Sequence, residues 1–209
     1  MATIRIVGEL TADSLRRFRS ELAAARGDDL ILEIDSIGGS AIAGLSMYAD
    51  LAGWPGNTTA HVRHAGSAAT LPMCACQRVI VAEDSRVVTH APKVQAVRDI
   101  GLDVGDLREA IGSLERTLNL IAGCYAEKSG SSVEVWLARL KSEIAWKGQG
   151  IVNAGLADAV EGSHALAIAA SAGRSLEDYP TPAAAEWRRM QAGLLRRARA
   201  NPTVFGRPV

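Results

Sequence analysis

The pattern of apolar and polar positions changes period several times along this chain. Residues 3–7 (T-I-R-I-V) alternate and predict a first strand. Thr11 then stands where it can cap a helix whose Leu15, Phe18 and Leu22 share one face. Gly27-Asp28-Asp29 breaks that helix, and residues 30–34 (L-I-L-E-I) predict a short buried strand ending at Asp35. Two glycines, Gly38 and Gly39, lead into helical spacing at Ile42, Leu45, Tyr48, Ala49 and Ala52. Trp54-Pro55-Gly56-Asn57 is a turn signal. A third strand is expected over 58–63, running into H-A-G-S-A-A-T at 64–70, with a short buried helix over 68–76. Residues 78–82 and 86–89 predict two further β runs, split by Glu83-Asp84-Ser85. Strand and helix in such succession predict an α/β fold with a mostly parallel sheet.

The second half is helical. Leu107, Ile111, Leu114, Leu118, Ile121 and Tyr125 step by 4, 3, 4, 3 and 4, the mark of a long amphipathic helix over 104–128. Its length suits projection from the domain or packing on a partner chain, and equally a helix covering the sheet. Ser129-Gly130-Ser131-Ser132 ends it, a helix restarts over 133–141, and G-L-A-D-A-V at 155–160 predicts a last helix-to-strand turn. After Gly162 the composition turns Ala-rich, then reaches Tyr179-Pro180-Thr181-Pro182. A final helix is expected over 183–200, with Arg188, Arg189, Arg196, Arg197 and Arg199 around Trp187, Met190, Leu194 and Leu195. The expected organisation is one domain over 1–162 and a helical tail over 163–209, with no internal repeat.

Composition narrows the function classes. At 209 residues and 48% hydrophobic, the chain can bury roughly 70% of its unfolded-chain surface. Basic and acidic residues balance at 23 each, and only 4% of residues are aromatic, so neither a nucleic acid nor a membrane partner is expected. Cys74, Cys76 and Cys124 fall in no metal-binding spacing, and packing is the expected role of all three. His61 and His64 share a strand without a third ligand nearby, so they read as ordinary sheet residues, and His164 as a surface residue. Lacking a leader-like start or an apolar run near 18 residues, the chain is expected to be soluble and cytoplasmic, with no cofactor.

Chemistry concentrates at the Gly38-Gly39 turn. A strand–Gly-Gly–helix junction aims backbone N–H groups into open space, where they can hold a phosphate or stabilise an oxyanion. A tight turn needing glycine for its backbone angles has the same sequence. The surrounding motifs favour the first use. I-D-S-I-G-G-S-A-I-A-G-L-S-M-Y at 34–48 resembles the I-N-S-P-G-G-x-x-x-A-G-x-x-I-Y segment of the Clp protease proteolytic subunit (ClpP) family. Gly66-Ser67-Ala68-Ala69-Thr70 resembles its G-x-A-A-S nucleophile motif, and Val88-Thr89-His90-Ala91-Pro92 its histidine motif. Ser129-Gly130 and Gly155-Leu156-Ala157-Asp158 are similar to two further landmarks, in the same order.

This resemblance runs from about Ile4 to Val160. It implies a ClpP/crotonase-type fold of stacked ββα units, within the peptidase branch that includes phage-encoded ClpP-like head maturation proteases. It also implies a serine-type endopeptidase acting on peptides or unfolded protein, assembled as a homo-oligomeric ring and open to an unfoldase partner. Thr70 would then be the nucleophile, His90 the general base and Glu143 the acidic third member, with the N–H groups of Gly39 and Leu71 as oxyanion hole.

The sequence departs from that family in several places. Thr70 replaces serine, adding a methyl group that stiffens χ1 and crowds the attacked carbonyl. Ser67, three residues earlier, is expected only to pack. The chain is shorter between Thr70 and His90, with Pro72 in the first turn of the intervening helix. Glu143 replaces the more usual aspartate, Asp35 and Ile37 replace Asn and Pro, and Lys93-Val94-Gln95-Ala96-Val97-Arg98 replaces a glycine-rich groove segment. Two other functions therefore stand beside the peptidase: a catalytically silent ring or scaffolding subunit, and a crotonase-type acyl-CoA enzyme.

Overall fold

The computed structural model describes residues 1–93 and 103–161. The expected linker, tail helix and His164, most of the segment after Pro92 and the boundary at 162 lie outside the described residues. Five strands lie in sequence order, β1 (Ala2–Leu10), β2 (Leu30–Gly39), β3 (Thr58–Gly66), β4 (Arg78–Thr89) and β5 (Ile144–Lys147), and β6 (Ala159–Val160) pairs with β4. Every pairing is parallel except β4 with β5. The helices α1 (Ala12–Ala25), α2 (Ala41–Ala52) and α3 (Thr70–Ala75) make the crossovers, each packing beside the next. They are followed by α4 (Val104–Ser129), α5 (Val133–Leu140) and α6 (Gln149–Asn153).

Local chemistry explains the element ends. Thr11 and Ser14 form the reciprocal capping box that starts α1, and Asp103 with Asp106 does the same for α4. Ser40 and Ser132 cap α2 and α5. Gly130, at φ 68°, ends α4 in the left-handed conformation that costs glycine little. The core runs through Ile4, Ile6, Leu32, Ile34, Val62, Val79 and Val81 on the sheet and Phe18, Met47, Leu71, Tyr125 and Trp136 on the helices, all buried. Along β3 buried and half-buried positions alternate, so one face of the sheet meets the helices and the other is only partly covered.

The two runs expected at 78–82 and 86–89 are one strand, β4. Glu83-Asp84-Ser85 does not interrupt it, because the Ser85 hydroxyl accepts from Ala82 N and donates to Val62 O. The register shifts there, and it also shifts between Gly8 and Glu9 and between Ile34 and Asp35. The β2–β3 and β3–β4 shifts lie side by side at Ile34/Asp35 and Val62/His64 and bend the sheet there, while the β1 shift lies further along β2, opposite Ser36 and Gly38. Expected strands 30–34 and 58–63 accordingly continue past the bend as β2 and β3, up to Gly39 and Gly66. The four-residue β5 and five-residue α6 were not apparent from periodicity. No helix among the described residues is long and apolar enough to cross a membrane.

Buried polar groups gather on this bend. Asp35 is 1% exposed and accepts from Arg63 Nε at 2.8 Å. In the register it faces His64, which in turn faces Arg86. Burial raises the Asp35 carboxyl, with Arg63 opposing. Burial, reinforced by Arg63 and Arg86, lowers His64 from 6.5 to about 4. A histidine lowered on folding binds fewer protons folded than unfolded, so it favours the fold fully above pH 6.5 and loses that advantage as pH falls toward 4. The loss is on the order of 3 kcal/mol. Urea unfolding at pH 7 and pH 4.5 is expected to show a lower midpoint in acid, and His64→Gln is expected to flatten that dependence. An equally steep dependence in the variant assigns the effect to other groups.

Candidate active site

Close backbone contact builds the site at the carboxyl ends of β2 and β3. The buried Ser36 hydroxyl donates to Gly8 O at 2.5 Å and accepts from Gly38 N at 3.1 Å, which ties the end of β2 to β1. Gly38 has φ 88°, and a Cβ there would lie 2.3 Å from Gly66 O. Gly39 has φ 145°, and its Cβ would lie 2.4 Å from Leu10 O. A Cβ on Gly44 would come within 2.5 Å of Ala68 O, so α2 and the turn after β3 also meet backbone to backbone. The pair expected to form a free turn thus still belongs to β2: Gly38 registers with Glu9 and Gly39 with Leu10. Gly39 is exposed, whereas Leu71, in the first turn of α3, is 1% exposed.

Thr70 opens α3, next to this corner. It is completely buried, and its hydroxyl donates to Ser67 O at 2.5 Å and lies 2.6 Å from the Tyr125 hydroxyl. Ser67, half-buried, holds φ 51°, a conformation that costs a non-glycine residue and that recurs at functional turns. Sequence reasoning gave Ser67 only a packing role, but its carbonyl is a direct partner of Thr70.

Thr89 registers with Ile144 in the antiparallel β4–β5 pair, so His90, just after β4, and Glu143, just before β5, flank the same end of that pair. His90 Nδ1 lies 2.7 Å from Ala91 O. A carbonyl only accepts, so Nδ1 is the donor here, and in the neutral ring the lone pair is then on Nε2, the arrangement a general base needs. Ala91 N donates in turn to Leu140 O at 3.0 Å, tying this turn to α5. The Glu143 carboxylate sits 3.6 Å from Lys93 Nζ. Among the described residues no hydrogen bond joins Thr70 to His90 or His90 to Glu143.

Behind Thr70 lies a second set of contacts that sequence reasoning treated only as landmarks. The Tyr125 ring packs on Trp136 with centroids 4.8 Å apart. Ser129 Oγ donates to Tyr125 O and accepts from Trp136 Nε1, both at 2.7 Å. A Cβ on Gly155 would meet Ser129 Cβ at 2.8 Å. Asp158 accepts from Val79 N at 2.6 Å and from Lys128 Nζ at 2.8 Å. The Ser129-Gly130 and Gly155-Leu156-Ala157-Asp158 motifs therefore clasp the end of α4 onto β4, and so hold Tyr125 against Thr70. Cys74, Cys76 and Cys124 are buried, and burial pushes Cys76 to about 12 and Cys124 to about 11, far from a reactive thiolate. Among the described residues no three His, Cys, Asp or Glu side chains converge as a metal site.

A family model described as Clp protease matches residues 2–164. Among solved structures, a single-substitution mutant of ClpP1 from Listeria monocytogenes superimposes with a TM-score of 0.68 at 16% identity, covering 78% of this chain and 92% of that one. At that identity the likeness shows the fold. No curated protein matches the sequence.

Gly38→Ala is expected to destabilise the protein by roughly 3 kcal/mol or more, since backbone strain at positive φ and overpacking each cost about 1–3 kcal/mol. Gly123→Ala is the control, because a Cβ there meets nothing within 4 Å inside α4. It is expected to add about 0.5–1 kcal/mol. Denaturant midpoints of both variants check this, and equal effects would contradict it.

Proposed function

The chain belongs to the Clp protease family, and on that premise we propose that it is a ClpP-like endopeptidase subunit hydrolysing peptides or unfolded protein by a serine-type mechanism. The observation that carries this reading is the shared sheet edge. Gly39 ends β2, and Thr70 with Leu71 and His90 follow the carboxyl ends of β3 and β4, the edge at which open parallel sheets bind ligands. An extended peptide lying there would present its carbonyl to Thr70 Oγ1. His90 Nε2 takes the hydroxyl proton as the new C–O bond forms, and the carbonyl oxygen turns to the N–H groups of Gly39 and Leu71. His90 then gives the proton to the departing amine, and water, activated by the same base, frees the acyl group from Thr70. Glu143 assists from just before β5, while Ala91 O holds the Nδ1 side of the imidazole. Ring assembly is supported by the apolar face at the start of α4, where Val104, Leu107 and Ile111 are between 49% and 62% exposed.

The burial of Thr70 favours a second reading, a catalytically silent ring or scaffolding subunit. Fluorogenic peptides and casein separate the two. The parent chain is expected to cleave slowly and Thr70→Ser faster, because serine loses the methyl group that crowds attack. Thr70→Ala and His90→Ala are expected to lose at least about 100-fold in kcat, the usual weight of a base or nucleophile. Glu143→Gln is expected to lose about tenfold or less, with Ala91 O keeping the tautomer. Silence in the parent and in Thr70→Ser alike would favour the scaffolding subunit.

A further inference from the structure

Thr70 has one hydroxyl hydrogen and two close oxygen partners. Ser67 O, at 2.5 Å, is a carbonyl and can only accept, so the Thr70 hydrogen points to it. The contact of 2.6 Å to Tyr125 then closes as a hydrogen bond only if Tyr125 is the donor. We infer that Tyr125 is a positioning residue that restrains the nucleophile: its O–H donates to Thr70 Oγ1 and, with Ser67 O, holds the hydroxyl in an unreactive orientation. This inference rests on the reading of Thr70 as nucleophile.

The restraint acts on both halves of the chemistry. Attack needs a lone pair of Oγ1, and a donated hydrogen bond withdraws electron density from that oxygen. It also needs the hydroxyl hydrogen directed at His90, and here it is directed at a carbonyl that cannot accept a proton. Threonine suits the arrangement, because in a helix its Oγ1 favours a bond to a carbonyl of the preceding turn. Ser67 O, three residues back, is such a carbonyl. Tyr125 is equally fixed. Its ring rests on Trp136, its carbonyl is held by Ser129, and it is 1% exposed, so water does not compete for its hydroxyl. Burial also raises the Tyr125 phenol, keeping it protonated as a donor.

The test uses the full chain and a fluorophosphonate probe, with the modified residue located by mass spectrometry. Tyr125→Phe keeps the ring on Trp136 and removes only the donor. Its rate of modification at Thr70 is expected to rise roughly two- to tenfold, the factor carried by one neutral hydrogen bond. The peptide kcat should rise with it at unchanged KM, and adding His90→Ala should abolish the gain. A purely structural tyrosine would give no gain. Unchanged or slower modification in Tyr125→Phe, while Thr70→Ser reacts readily, overturns the inference and leaves the peptidase reading standing. No modification at residue 70 in any variant overturns both. Ultraviolet resonance Raman of the parent and Thr70→Val gives a readout that does not depend on Tyr125→Phe folding. The tyrosine Fermi doublet should report a donor lost in Thr70→Val, and an unchanged doublet overturns the inference.

Discussion

The site depends on three backbones meeting without side chains between them. Gly38 touches the carbonyl of Gly66, Gly39 touches that of Leu10, and Gly44 touches that of Ala68. The ends of β1, β2 and β3 are thereby drawn together more tightly than any Cβ would permit. The Ser36 hydroxyl, bonded to Gly8 O and Gly38 N, keeps the middle strand from slipping. The start of α3 is located by this packing, and with it Thr70 and Leu71. Even the strained Ser67 follows, since the chain must turn sharply from Gly66 into the helix.

Two sets of contacts then operate on opposite sides of Thr70. Toward the sheet edge, His90 is oriented by the carbonyl of its own neighbour, while Glu143 answers to Lys93. Toward the interior, Tyr125 and the Trp136–Ser129 pair form a fixed wall that ends on the Thr70 hydroxyl. Thr70 thus belongs to the core as much as to the sheet edge. That dual membership is the physical content of the difference between threonine and serine here: the methyl group and the back-bond to Ser67 O both favour the core.

Much of the fold was legible because its signals are local. The 4-3 spacing of Leu107 to Tyr125, the Thr11 cap and the alternation in β1 and β3 each carry their own period. The parallel sheet followed from the succession of units. The continuity of β4 was not legible, since Glu83-Asp84-Ser85 has the composition of a break and the hydroxyl stitching it to Val62 O acts across strands. β5 was too short for any period. At the site, motif order led to Thr70, His90, Glu143, Gly39 and Leu71; Gly39, Thr70 with Leu71, and His90 lie at the carboxyl ends of β2, β3 and β4, and Glu143 lies just before β5. Tyr125 was read only as the last apolar step of a helix, because periodicity reports which face a residue occupies and not where its hydroxyl ends.

The bond from His90 to Ala91 O gives Pro92 a task. A residue that precedes proline is sterically kept out of the helical region and held near an extended conformation. Ala91 is such a residue, so the direction of its carbonyl is set by the ring that follows it. The proline of the histidine motif therefore governs an imidazole two residues away through the carbonyl between them. Backbone stiffness, passed through one carbonyl oxygen, decides which ring nitrogen is held and which is left free to face outward.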